Sequence, residues 1–258
     1  MAYKDILVYL DGSPDNENRL AVAIALATTY EARLIGVDVS TEAAFEGDWS
    51  ERAAGLESLF QDKARQAQIE HRFRVADRAA TSWKALYAHY VDLLIATQPN
   101  SASSGLVLSA VPEEVLMSAG VPVLLLPVGW RPQPVGQNVV IAWSPSREAT
   151  RAVHDSLPIL ERARKVTVFA FDSPSDVNDA DLNLFRDHLQ VHGIRAEVDR
   201  WFNTGDISAV EALYASRGME DADLIVAGAY SHSRVLERLF DGMTRQLLQS
   251  SMPILVSH

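Results

Sequence analysis

The sequence contains an internal repeat that spans most of its length. Asp92–Ala96 (DLLIA) recurs as Asp223–Ala227 (DLIVA), and the two segments are 131 positions apart. Gly120–Leu125 (GVPVLL) recurs at the same spacing as Ser251–Val256 (SMPILV). Because an internal repeat marks a structural unit that is used more than once, we predict two copies of one domain of about 130 residues, joined head to tail.

The boundary between the two copies is marked by a change in composition. Residues 129–137 (GWRPQPVGQ) carry two prolines and two glycines and interrupt the apolar pattern, which is typical of a linker. We therefore predict a first domain over 1–128, a linker over 129–137 and a second domain over 138–258.

Both copies alternate short runs of Val, Ile and Leu with longer amphipathic segments. This pattern predicts an α/β fold, in which each domain is a doubly wound, five-stranded parallel sheet covered by helices on both faces. The first copy is predicted to have strands near 5–10, 33–39, 69–75, 92–97 and 121–127 and helices near 15–30, 50–68, 79–90 and 110–119. The second copy is predicted to have strands near 138–143, 165–171, 194–201, 223–228 and 252–257 and helices near 146–163, 177–192, 206–217 and 240–251. Pro122 and Pro253 are expected to start the last strands, where the missing amide donor is tolerated.

Charge and cysteine content exclude several classes of function. The chain has 23 Lys and Arg against 34 Asp and Glu, so its net charge of -11 repels nucleic acids and anionic membranes, and neither is a predicted partner. Cysteine is absent, which excludes disulfides, thiolate metal sites and cysteine nucleophiles and suits a reducing compartment. The apolar run before Asp11 is too short for a signal peptide, and no stretch approaches the roughly 18 apolar residues of a membrane span. We predict a cytoplasmic protein.

The candidate ligand site follows from the predicted sheet. Ligands of open parallel sheets bind at the carboxyl ends of the strands, where the strand order reverses. Ile6–Ser13 (ILVYLDGS) is matched in the second copy by Val139–Ser146 (VVIAWSPS), which places Asp11 and Ser144 in corresponding positions after the first strand. The loop Gly228–Arg245 follows the fourth strand of the second copy. These turns are expected to border the crevice.

The loop Gly228–Arg245 and the Asp11-Gly12-Ser13 turn together resemble those of the universal stress protein family. The loop resembles that family's nucleotide loop, G-x2-G-x9-G-[ST]. The resemblance covers essentially the whole chain as two tandem domains, and it implies an adenine nucleotide alpha hydrolase-like, Rossmann-like fold. It also implies that an Asp after the first strand contacts the adenosine part of ATP. The loop glycines and a following helix N-terminus would hold the phosphates.

Both copies depart from this nucleotide pattern. In the second copy Ser144 replaces the Asp, Ser231 and Asp241 replace two loop glycines, and Gly242 stands where Ser or Thr is usual. A carboxylate such as that of Asp241 would accept the amide hydrogens that a phosphate needs and would repel the phosphate as well. The first copy keeps the Asp but has no glycine pattern over 97–105, and Pro112-Glu113-Glu114 opens its next helix. We therefore predict two degenerate nucleotide sites.

The ligand-binding candidates are Asp11, Gly12, Ser13, Val37, Ser144, Gly228, Ser231, His232, Asp241, Gly242 and Thr244. Structural roles stay open beside them, because Asp11 and Asp241 are also ordinary turn and helix N-cap residues. No nucleophile elbow accompanies Ser231 and His232, so we predict no catalytic residue.

Several aromatic residues have a structural and a functional interpretation. His188 and His192 are four residues apart and share one face of the predicted helix, as two metal ligands would. No third ligand can be identified, so surface histidines are the favoured interpretation and no metal site is predicted. Trp143 and Tyr230 are expected to pack in the core or in loops rather than to stack on a base.

The leading functional hypothesis is a tandem universal stress protein, a cytoplasmic regulator that is not an enzyme and has no predicted cofactor. One alternative is a switch that binds ATP or AMP in the second-domain crevice, with weak ATPase activity at most. Another is an interaction module. The family resemblance implies pairing through the terminal apolar strands, between the copies and between chains in a homodimer, and an unpaired apolar edge would favour aggregation.

Overall fold

The computed structural model describes residues 2–39, 49–76, 88–98, 116, 118–172, 179–202, 205, 207–229, 246–247 and 250–258. The chain divides into two compact units, Ala2–Gln133 and Pro134–His258. Each unit contains a parallel sheet with helices packed against it, and the predicted α/β fold is confirmed.

The first unit is built on five strands in the order β3-β2-β1-β4-β5. Its elements are β1 (Asp5–Leu10), α1 (Asn16–Tyr30), β2 (Arg33–Asp38), α2 (Trp49–Gln66), β3 (His71–Val75), β4 (Leu93–Thr97) and β5 (Val123–Leu126). The central strand β1 pairs in parallel with β2 on one side and with β4 on the other. Residues 6–10 of β1 and all of β4 are buried, as expected for strands covered on both faces.

The second unit repeats this topology with the strand order β8-β7-β6-β9-β10. Its elements are β6 (Asn138–Trp143), α3 (Arg147–Leu160), β7 (Lys165–Asp172), α4 (Asp179–Val191), β8 (Ala196–Phe202), α5 (Ala209–Ala215), a 3-10 turn (Arg217–Met219), β9 (Leu224–Gly228) and β10 (Ile254–Ser257). The central strand β6 pairs in parallel with β7 and β9.

One repeated aspartate explains why both units begin their sheets in the same way. Asp92 lies just before β4, and its Oδ2 accepts the backbone N–H groups of Lys4 and Asp5 at 2.7 and 2.9 Å. Asp223 lies just before β9, and its carboxylate accepts the N–H groups of residues 136–138 at 2.7–3.1 Å. A carboxylate between two strand starts thus fixes the first strand beside the fourth in each unit.

Gly136 allows this arrangement in the second unit. Its φ of +87° is a conformation that side chains disfavour, and an added Cβ would lie 2.5 Å from Cγ2 of Ile159. A glycine predicted only to belong to a linker is therefore a required part of the turn that enters β6.

The predicted element bounds agree with the structure to within a few residues. The last strands begin at Val123 and Ile254, one residue after the prolines that were expected to start them. The predicted helices near 79–90, 110–119 and 240–251 lie largely outside the described residues. Within the described part of the chain, no helix combines the length and the apolar character needed to cross a membrane.

Candidate functional site

The candidate crevice of the first unit lies where the order of its strands reverses, between β1 and β4. Asp11 follows β1 directly, and Thr97 is the last residue of β4. Both residues are buried, with 2% and 1% of their surface exposed. The carboxyl ends of these two strands therefore bring a carboxylate and a hydroxyl group close together.

A buried guanidinium group joins these two side chains. Arg19 lies on α1 and is only 1% exposed. Its Nη1 donates to Oγ1 of Thr97 at 2.6 Å, and its Nη2 donates to Oδ1 of Asp11 at 3.0 Å. Its Nε donates to the carbonyl oxygen of Tyr9 at 2.6 Å. Arg19 thus binds the ends of both strands that flank the reversal point.

The remaining contacts of Asp11 close the turn between β1 and α1. Oδ1 of Asp11 accepts both the backbone N–H and the hydroxyl of Ser13, at 3.1 and 2.7 Å. The backbone N–H of Asp11 donates to Oδ1 of Asn16, which also accepts from Arg19 at 3.2 Å. Gly12 is exposed, and the buried Val37 lies on β2 opposite Tyr9. Asp11 therefore has a structural role in this turn.

The charge of Arg19 is stabilised within the protein. Burial lowers the pKa of its guanidinium, and the charge of Asp11 and their hydrogen bond oppose that decrease. Removal of one partner of such a buried pair leaves an uncompensated charge, which costs about 3–5 kcal/mol. The ion pair is thus an integral part of the folded first domain.

The sequence analysis did not identify Arg19, although one signal was available. Arg19 falls in the mostly apolar buried face of α1, with Leu20, Ala23 and Ala27. An arginine in such a stripe needs a buried anionic partner, because a lone buried charge is strongly unfavourable. Asp11 is the carboxylate that this reasoning would have selected.

The second unit lacks the corresponding polar network. At the spacing of 133 residues that relates Asp11 to Ser144, Asn16 and Arg19 correspond to Ala149 and Ala152, which are both buried. The hydroxyl of Ser144 lies 3.2 Å from that of Ser146, and the Ser146 hydroxyl accepts the N–H of Ala149 as the N-cap of α3.

Gly228, the last residue of β9, has a packing role. A Cβ added there would lie 2.4 Å from the backbone nitrogen of Ala149 and 2.5 Å from the carbonyl carbon of Glu148. The first turn of α3 packs directly on the backbone of β9, so only glycine fits. Close helix packing therefore accounts for this glycine without a phosphate.

The described residues exclude the other loop candidates, which are Ser231, His232, Asp241, Gly242 and Thr244. They also exclude Tyr230 and the first-copy segment 99–115.

A cleft opens at the carboxyl end of β6, between α3 and α4. Its volume is about 510 Å³, and it is lined by residues that include Trp143, Arg147, His154, Asp181 and His188. The Trp143 ring stacks on that of Phe185, with centroids 3.7 Å apart and planes 4° from parallel. Trp143 thus joins the sheet to α4.

Three histidines lie together beside this cleft. Nε2 of His154 is 3.1 Å from Nε2 of His188, and the His192 ring lies 4.9 Å from that of His188. The pKa of His188 is lowered, mainly by partial burial and to a smaller extent by the charges of His154 and His192. Among the described residues, no group of three or more His, Cys, Asp or Glu side chains is arranged to hold a metal ion.

Comparisons with known proteins identify the family. The sequence model of the universal stress protein family matches residues 2–127, and a search of curated proteins gives no match. A universal stress protein from Archaeoglobus fulgidus has 19% identity and a TM-score of 0.71, and the alignment covers 98% of this chain and 95% of that one. A putative universal stress protein from Pseudomonas aeruginosa has 17% identity and a TM-score of 0.64, with 99% and 93% coverage. These structural likenesses extend the shared fold over both units, and the match of residues 2–127 shows that the first unit belongs to the universal stress protein family.

Proposed function

We propose that this chain is a tandem, non-catalytic universal stress protein that acts as a cytoplasmic regulator and whose first-domain nucleotide site is closed by its own Arg19. The observation that carries the proposal is the buried ion pair between Nη2 of Arg19 and Oδ1 of Asp11, at 3.0 Å. The absence of cysteine from the chain is consistent with a reducing compartment.

The chemistry of Asp11 supports this closure. An adenosine ligand that needed this carboxylate would compete with Arg19 and with both donors of Ser13. The competing contacts are within the molecule and are already desolvated, so a nucleotide would have to break a buried ion pair to gain a comparable one. These contacts support a first-domain site that is closed to nucleotide.

Isothermal titration calorimetry with ATP and with AMP tests the proposal. We expect no saturable binding below millimolar concentration for the wild type. Arg19→Met keeps the length of the side chain but removes its charge and frees Asp11, so this variant should bind nucleotide more tightly. The matched double variant Asp11→Asn/Arg19→Met should lose that gain. Micromolar binding by the wild type would contradict the proposal.

The second candidate function is an ATP or AMP switch in the second domain. The cleft at the carboxyl end of β6 favours it, because this edge is where α/β sheets bind ligands. Ser231→Gly/Asp241→Gly separates the two candidates. It should change affinity little if the native loop already binds phosphate, whereas it should create or greatly improve binding if the loop is degenerate.

A role in self-association through the terminal strands is the third candidate. β5 (VLLL) and β10 (ILVS) are apolar, buried segments that suit strand pairing. Sedimentation at micromolar concentration should detect a homodimer, and a strict 28.4 kDa monomer would count against pairing between chains.

A further inference from the structure

The histidines of the second domain form a cluster beside the cleft at the carboxyl end of β6. His154 lies on α3 and His188 on α4, so the cluster joins two helices of the same unit. Both side chains are exposed, and both line the cleft beside Trp143. Exposure leaves their Nε2 atoms accessible to small solutes.

We propose that His154 and His188 form a two-histidine site for a divalent transition-metal ion, with Zn²⁺ or Cu²⁺ as the matching chemistry. Their Nε2 atoms are 3.1 Å apart. With each nitrogen about 2.0–2.1 Å from a zinc ion, that separation gives an N–Zn–N angle of about 98°, which lies between octahedral and tetrahedral values. The separation of the two nitrogens is therefore compatible with their binding one ion.

The two helices hold this geometry in place. Phe185 lies one turn before His188 on α4, and its ring stacks on Trp143 of β6 at 3.7 Å. On α3, Val153 is 1% exposed and anchors the turn that carries His154. Core contacts thus hold the two helix turns that carry these histidines, and preorganised ligands bind metal more tightly.

The cleft also offers space and one carboxylate. Both histidines line it together with Asp181 and the cationic Arg147, and its volume of about 510 Å³ leaves space for water to complete the coordination. The net charge of -11 raises the local concentration of cations.

Zinc titration of the full-length chain without a histidine tag tests the proposal. We expect one Zn²⁺ per chain at pH 7.5. His154→Ala and His188→Ala should each weaken binding by about tenfold or more. In the wild type, the electron paramagnetic resonance spectrum of bound Cu²⁺ should show coupling to imidazole nitrogen.

Two matched controls make the result specific. His192→Ala removes the neighbouring ring just after α4, and His89→Ala removes an exposed histidine of the first domain, so both should leave Zn²⁺ affinity unchanged. The proposal is overturned if the wild type takes up no Zn²⁺. That result would show that the two histidines are joined only by an N–H···N hydrogen bond. It is also overturned if His192→Ala loses as much affinity as His188→Ala, or if the two ligand variants keep theirs.

Discussion

Asp11→Asn should destabilise the first domain far more than its small change in shape suggests. The variant keeps the size of the side chain but leaves the guanidinium of Arg19, 1% exposed, without its anionic partner. Loss of one member of a buried ion pair costs about 3–5 kcal/mol, and we expect the lower end because the asparagine Oδ1 still accepts a hydrogen bond. A domain with about 5–15 kcal/mol of total stability would lose a large part of it.

Urea denaturation, monitored by circular dichroism, measures this loss as a lower midpoint for the first domain. Asp5→Asn is the matched control, because it breaks the much more exposed pair of Asp5 with Arg33 and should have a far smaller effect. Asp11→Asn/Arg19→Met should recover part of the stability, since removal of both charges avoids the buried, unpaired one. If Asp11→Asn costs no more than Asp5→Asn, the buried pair is not the structural element described above.

Three further predictions concern the second domain. Gly228→Ala places a methyl group against the backbone of α3 and should lower the free energy of unfolding, measured by thermal denaturation, by about 1–3 kcal/mol. The control Gly55→Ala has open space around it and should be neutral or stabilising, and equal effects of the two variants would contradict the packing role. Asp223→Asn removes a carboxylate that binds three N–H groups and should speed amide exchange at 136–138, and unchanged exchange would refute this role. Because the pKa of His188 is lowered in the folded chain, its contribution to the free energy of unfolding is fully present above the ordinary histidine pKa of about 6.5 and is lost as the pH falls below that value. The urea midpoint should therefore differ less between neutral and acidic pH in His188→Gln than in the wild type, and an equal difference in both proteins would contradict the prediction.

The fold could be predicted because its signals are local and are present twice. The alternation of apolar runs predicted β1, β4, β6 and β9 closely, since strands buried on both faces must be almost wholly apolar. The recurrence of Asp92 and Asp223 was visible as a pattern, but its physical reason, amide binding at the strand starts, needed coordinates.

The site was less predictable because its character depends on pairs of residues that are distant in sequence. Asp11 alone permits a ligand role or a turn role, and only its contact with Arg19 identifies the turn role in this structure. Thr97 joins that network from 78 positions away, a relation that no local pattern indicates. The same holds for Gly228, which resembles a nucleotide-loop glycine but is required by the packing of α3. The spacing of His188 and His192 indicates a shared helix face, whereas the ring nitrogen that lies 3.1 Å from Nε2 of His188 belongs to His154 on another helix.

Direct observation of the Arg19 side chain by NMR, in a chain labelled with ¹⁵N-arginine, tests the central claim. The account predicts a slowly exchanging Nε–H signal, since this group donates to the carbonyl of Tyr9 in the core, and predicts that millimolar ATP leaves the signal unchanged. A saturable shift or loss of that signal at micromolar ATP would show that nucleotide displaces Arg19 from Asp11, and the closed first-domain site would then be wrong.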